Sequence, residues 1–168
     1  MLIKSIILKN FRGYKNETSI EFSNLTAFIG RNDVGKSTVL EALDIFFNEG
    51  KGIISLDKSD INKEANNKGD TEIIIGVEFH SLPDEIIIDT ENTTTLKQEY
   101  LLNEVGNLTI IKKYPNAGKD KVFISALHPS NINCNNLLQM KQSDLKAKIK
   151  ELGVECDKTK NAVMRNAI

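Results

Sequence analysis

Short apolar runs and polar turns alternate along the chain, and the period of each run predicts its element. Leu2 to Leu8 is rich in isoleucine. After the polar turn of Gly13 to Asn16, Thr18-Ser19-Ile20-Glu21-Phe22 alternates apolar and polar, so the two segments predict an N-terminal strand pair. Leu25-Thr26-Ala27-Phe28-Ile29 is almost uninterrupted in its apolar character, the pattern of a central strand buried on both faces, and it leads straight into Gly30. Val39, Leu40, Leu43, Phe46 and Phe47 then recur at helical spacing while Glu41 and Asp44 fall on another face. That predicts an amphipathic helix from Lys36 to Phe47 packed across a sheet.

The stretch at 49–70, rich in Gly, Asn, Lys and Asp, has little to form a core of its own and reads as a surface excursion. From Thr71 the alternation resumes, with Ile73, Ile75, Val77 and Phe79 on one face. Glu85 to Asp89, Leu108 to Tyr114 and Val122 to Leu127 add further strands, the last two joined through the turn residues Pro115-Asn116-Ala117-Gly118. Residues 71–127 thus predict an antiparallel β-meander forming a second layer. Residues 128–168 predict a helical end: Ser143 as N-cap of a helix through Leu152, Gly153 at its left-handed C-cap, and a second helix from Asp157 still running at Ile168. A chain ending inside a helical pattern reads as an N-terminal piece of something longer.

Bulk properties narrow this picture only a little. With 168 residues, 40% hydrophobic and 27% charged, the chain has the composition of one ordinary globular domain. A net charge of -1 offers no overall attraction for nucleic acid, so DNA contact requires a local basic patch or another part of an assembly. Two cysteines, Cys134 and Cys156, make neither a disulfide framework nor a close metal-ligand pair, which fits a reduced, cytoplasmic setting. The N-terminus lacks the apolar block of a secretory signal, and no apolar run approaches the roughly 18 residues that span a bilayer.

The segment with chemistry is Gly30-Arg31-Asn32-Asp33-Val34-Gly35-Lys36-Ser37, a full G-x-x-x-x-G-K-S pattern set between a predicted strand and a predicted helix. Its glycines permit torsions and close approaches that a Cβ blocks, so backbone N–H groups can turn inward around phosphates. The following helix adds its unsatisfied N–H groups and dipole. Lys36 is placed to reach the β- and γ-phosphates, Ser37 to ligate magnesium, and Thr38 either adds a phosphate contact or simply fills the first turn. ATP and Mg2+ are the cofactors this pattern implies.

Ile7-Leu8-Lys9-Asn10-Phe11-Arg12-Gly13-Tyr14 followed by Phe28 through Leu43 resembles the N-terminus of ABC-type ATPases of the RecF, SMC and OLD kind. Asn32-Asp33 between the glycines looks most like the OLD (overcoming lysogenization defect) branch, whose full-length members join an ATPase to a Toprim nuclease and act in DNA repair and phage defence. The resemblance implies an α/β P-loop NTPase lobe across residues 1–168, with residues 1–48 as its core. It also implies ATP hydrolysis between two heads, a missing C-terminal lobe or second head as partner, and DNA reached through the full-length assembly. On the same ground Arg12 approaches the phosphates or DNA, although a solvated turn arginine is an equal reading.

Other family parts are not found. No apolar strand ends in Asp-Glu, no Ser-Gly-Gly motif occurs, and no Toprim acidic cluster follows; Ile86-Ile87-Ile88-Asp89 is only a strand end. The fragment therefore carries no catalytic acid and is expected to bind ATP with little turnover. Gln139 stands where a Q-loop glutamine would contact magnesium, but ordinary helix surface is the preferred reading. His80 and His128 lack partners at metal spacing, and Lys146, Lys148 and Lys150 beside Asp144 and Glu151 read as a solvated helix face. The competing readings are a stand-alone P-loop enzyme, such as a small kinase, and an interaction module that binds nucleotide without turnover. A GTPase is disfavoured because no Asn-Lys-x-Asp follows in strand context.

Overall fold

The computed structural model describes residues 1–30, 35–49, 52–89 and 92–168. These fall into two compact units, one of Met1–Ser81 with Asn107–Ser125 and one of Leu82–Gly106 with Ala126–Ile168. The fold is mixed α/β. In the first unit, β1 (Leu2–Lys9), β2 (Thr18–Glu21), β3 (Glu72–His80), β6 (Leu108–Pro115) and β7 (Lys121–Ser125) form one antiparallel sheet in the order β2-β1-β3-β6-β7. The period-2 alternation explains its face. Ile73, Ile75 and Val77 are fully buried, and the register sets Ile6 opposite Val77 and Leu8 opposite Ile75.

The register also corrects two expectations. The meander is not a second layer: β3 pairs with β1 along one edge and with β6 along the other, so both strand groups share a single sheet. Gly76 allows this on the opposite face, since a Cβ there would lie 3.2 Å from Ile7 Cβ and 3.4 Å from Ile111 Cγ1. Leu25–Ile29, expected as the central strand, is not a strand, and its end residues Leu25 and Ile29 are 88% and 94% exposed. An apolar run becomes a strand only with neighbours to complete its hydrogen bonds, and among the described residues none pairs with this one. Local bonds hold its start instead: Ser23 N–H donates to Thr26 Oγ1 at 2.9 Å and Ser23 Oγ to the Leu25 carbonyl at 2.9 Å.

Helix α1 (Lys36–Asn48) buries Thr38, Val39, Ala42, Ile45 and Phe46. Its packed face is thus rotated from the expected one, with Leu40 60% and Phe47 51% exposed. The stretch at 49–70 is more than an excursion. It contains a 3-10 turn at Lys58–Asp60 and the short helix α2 (Lys63–Asn66), and it buries Asp60, Ile61 and Ala65.

The second unit has the hairpin β4 (Ile86–Asp89) and β5 (Asn92–Thr94), with α3 (Gln142–Leu152) and α4 (Asn161–Ala167). Leu145, Ile149 and Met164 are its fully buried centre, with Leu137, Met140, Val154, Cys156 and Ile168 packed around them. Gly153 ends α3 at φ 67°, its N–H reaching the Ile149 and Lys150 carbonyls, as its position predicts. Ser143 is not the N-cap. That position is Lys141, and the Ser143 hydroxyl instead donates to Asp144 Oδ1 at 3.0 Å. The last helix begins at Asn161, after an Asx turn in which the Asp157 carboxylate accepts the Thr159 N–H at 2.9 Å.

Candidate functional site

Gly30 and Gly35 bracket the loop, and Arg31, Asn32, Asp33 and Val34, four of its candidate ligands, lie outside the described residues. Gly35 is the N-cap of α1 at φ 80°, ψ 18°, a left-handed conformation that a Cβ would strain. Lys36 Nζ turns back and donates to the Gly30 carbonyl, so the ammonium closes the loop on itself. Ser37 is exposed at the start of the helix and Thr38 is buried. An open hydroxyl beside a lysine and a left-handed glycine, all at the N-terminal end of a 13-residue helix, is a donor set suited to an anion and its counter-cation.

The segment before the loop is built as a clamp. Asn10, at φ 56°, is fully buried at the end of β1. Its Nδ2 donates to the Asp70 carbonyl at 2.9 Å and the Glu72 carbonyl at 3.2 Å, and its Oδ1 accepts the Asn62 N–H at 3.1 Å. Phe11 and Tyr14 close a tight turn through N–H···O bonds of 3.0 and 2.8 Å, with the Phe11 side chain fully buried. Asn10, Phe11 and Tyr14 enter the sequence reading only as part of the family-like motif, in which Arg12 alone is given a site role. The available signal for Asn10 was an asparagine at a strand end, a residue that tolerates left-handed torsions.

Arg12 is not a solvated turn residue. Its Nε donates to Asp60 Oδ1 at 2.7 Å, its backbone N–H to the Asp60 carbonyl at 2.6 Å, and its NH1 to the Glu41 carboxylate on α1. The guanidinium also lies 5.1 Å from the Phe11 ring centroid. Burial works against the charge, but the hydrogen bonds and charges of Asp60 and Glu41 outweigh it and raise the Arg12 pKa above its ordinary value. Arg12 therefore ties together the end of β1, the 3-10 turn and α1.

Gln139 is exposed at the end of a 3-10 turn, Leu137–Gln139, in the second unit. His80 Nδ1 is 3.1 Å from the Ser81 hydroxyl, and the His128 ring lies 6.3 Å from that of Tyr100. Asp89, the end of the Ile86–Asp89 run, is the last residue of β4.

With this geometry in place, comparison with known proteins identifies the class. Residues 1–168 match the family model of the AAA ATPase domain, and the chain belongs to that family. The chain is 33% identical over 118 residues to the DNA replication and repair protein RecF of Streptococcus thermophilus, covering 66% of this chain and 31% of that protein. It is 29% identical over 164 residues to the DNA double-strand break repair Rad50 ATPase of Methanococcus maripaludis, covering 92% of this chain and 16% of the relative. A shorter match, 44% over 50 residues, is to the structural maintenance of chromosomes protein 3 homolog of Plasmodium falciparum and covers 29% of this chain and 4% of that one. Among solved structures, an SMC head domain from Thermotoga maritima is similar with a TM-score of 0.44 at 17% identity, over 76% of this chain and 38% of that one.

The chain is accordingly an AAA ATPase domain with sequence similarity to RecF, Rad50 and SMC proteins. It spans 31% of the RecF relative's length and 16% of the Rad50 relative's. No helix among the described residues is long and apolar enough to cross a membrane.

Proposed function

We propose that this chain binds ATP with Mg2+ through residues 30–38 and serves as the N-terminal ATPase lobe of a larger, OLD-like protein acting in DNA repair or phage defence. The observation that carries the nucleotide reading is the arrangement at α1: Gly35 left-handed at its N-cap, Lys36 folded onto the Gly30 carbonyl, and Ser37 exposed. Phosphate oxygens compete well for the lysine, because a charge-assisted contact to an anion is stronger than one to a neutral carbonyl. Gly30, Arg31, Asn32, Asp33, Val34, Gly35, Lys36 and Thr38 would hold the phosphates, and the Ser37 hydroxyl the cation. Magnesium, when bound, supplies neutralisation of the phosphate charge.

Arg12 stands at the margin of this proposal. The Arg12 NH1 group would leave Glu41 for a phosphate oxygen. The OLD assignment rests on Asn32-Asp33. In the full-length protein, ATP binding and hydrolysis would be coupled to pairing of heads and to DNA processing, as the kinship with RecF and Rad50 suggests.

Calorimetric titration of ATP with and without magnesium into wild type and Ser37→Ala tests the reading. The expected result is tighter binding with magnesium in the wild type and a much smaller magnesium effect in the variant. No ATP binding by the wild type in either condition would overturn it. Turnover by the 168-residue chain should be slow, because no apolar strand of the sequence ends in the Asp-Glu pair that would position water. Rapid magnesium-dependent hydrolysis lost in Lys36→Ala would show that such an acid lies within the chain.

A further inference from the structure

Tyr14 lies against the loop that the proposed function assigns to the nucleotide. A Cβ built on Gly35 would sit 3.6 Å from both Cε2 and Oη of Tyr14 and 3.8 Å from Thr38 Oγ1. The two hydroxyls thus converge on the N-cap of α1 from different elements. Thr38 is only 7% exposed, and neither its hydroxyl nor that of Tyr14 has a hydrogen-bond partner among the described residues. Hydroxyls without a protein partner beside the N-cap of a helix are available to donate to an anion held there. The tyrosine is also placed by construction: its turn closes through two backbone bonds between Phe11 and Tyr14, and it hangs from the buried side chains of Asn10 and Phe11.

We propose that Tyr14 is a phosphate-binding residue of this site, its phenol O–H and that of Thr38 donating to oxygens of the anion held at the N-terminus of α1. The inference rests on the nucleotide reading and extends it to a residue that precedes the loop. Gly35 serves both parts, since its lack of a side chain lets the Tyr14 ring and hydroxyl stand directly against the loop. No chemical step is required of Tyr14; it binds and does not react.

The test is titration of ATP, with magnesium, into the 168-residue chain and its Tyr14→Phe, Thr38→Val, doubly substituted and Lys36→Ala forms, beside thermal melts without nucleotide. Tyr14→Phe keeps the ring, so its midpoint should match wild type while its ATP affinity falls by about tenfold, as for loss of a hydrogen bond to a charged group. Thr38→Val should weaken binding similarly, and the double variant should lose less than the product of the two if both hydroxyls serve one phosphate. Wild-type affinity in Tyr14→Phe, with Lys36→Ala weakened, would overturn the role of Tyr14 and leave the nucleotide reading standing. Absence of binding by the wild type would overturn both.

Discussion

Lys112 on β6 donates from Nζ to the carbonyl oxygen of Phe46 at 2.9 Å, joining the middle of the sheet to the last turn of α1. The helix leaves its final carbonyls without intrahelical donors, and a cation there also meets the negative end of the dipole. Lys112 opposes Ile75 on the apolar face, so its stem is buried under the helix while its ammonium reaches out, 5.2 Å from the Phe46 ring centroid and 3.6 Å from Asp120. A lysine within a strand thereby acts as a C-cap on a helix far away in sequence.

Lys112→Met keeps the buried stem and removes the donor. The expected outcome is a loss of about 1–3 kcal/mol in urea unfolding, since the Phe46 carbonyl and Asp120 both lose a partner. A variant as stable as wild type would show that the cap contributes nothing net.

The second unit contains a buried two-pronged ion pair, with Arg165 Nε and NH2 each 2.8 Å from a carboxylate oxygen of Glu99. Their side chains are 4% and 2% exposed, so breaking the pair removes a charged partner from Arg165 in a poorly solvated site. Glu99→Gln should cost about 3–5 kcal/mol, whereas an apolar replacement of both partners should recover much of that loss. Hydrogen exchange across 82–106 and 126–168 measures it, and unchanged protection in Glu99→Gln would contradict the assignment.

Tyr114 ends the apolar row opposite Ile73, and its buried hydroxyl has no partner among the described residues. Burial, then the charges of Asp120 and Glu49, push its pKa well above the ordinary value of 10.0. The folded state therefore keeps the proton after the unfolded chain has released it. The resulting stability is complete below about pH 10 and drains away as pH rises beyond that. Tyr114→Phe should be neutral or stabilising near pH 7 and should flatten the alkaline part of the stability curve. An unchanged alkaline slope would show that another group governs it.

Local patterns carried the reading of sequence where local physics decides structure. Ile73, Ile75, Val77 and Phe79 announce β3 by their alternation, Gly153 announces a left-handed cap, and Pro115–Gly118 announces the β6–β7 turn. The failures are long-range. Leu25–Ile29 has the character of a buried strand, but its partners cannot be read from its own residues. Whether β3 extends the sheet of β1 or begins another depends on the pairing of residues some seventy positions apart, as between Ile6 and Val77. The same holds at the candidate site, where the glycines and Lys36 are visible as a motif. The Arg12 pairing to Asp60 and Glu41, and the approach of Tyr14 to Gly35, appear only once the chain is folded.

The central claim is that Lys36 serves an anion and not the fold. Its ammonium contacts a loop carbonyl, that of Gly30, and its removal should leave the sheet and α1 packing intact. Titration of ATP with magnesium into wild type and Lys36→Ala, paired with thermal melts of both proteins without nucleotide, measures this directly. The account predicts equal melting midpoints and an affinity weakened by a few kcal/mol, the scale of a lost charge-assisted contact. Equal affinities for the two proteins would contradict it.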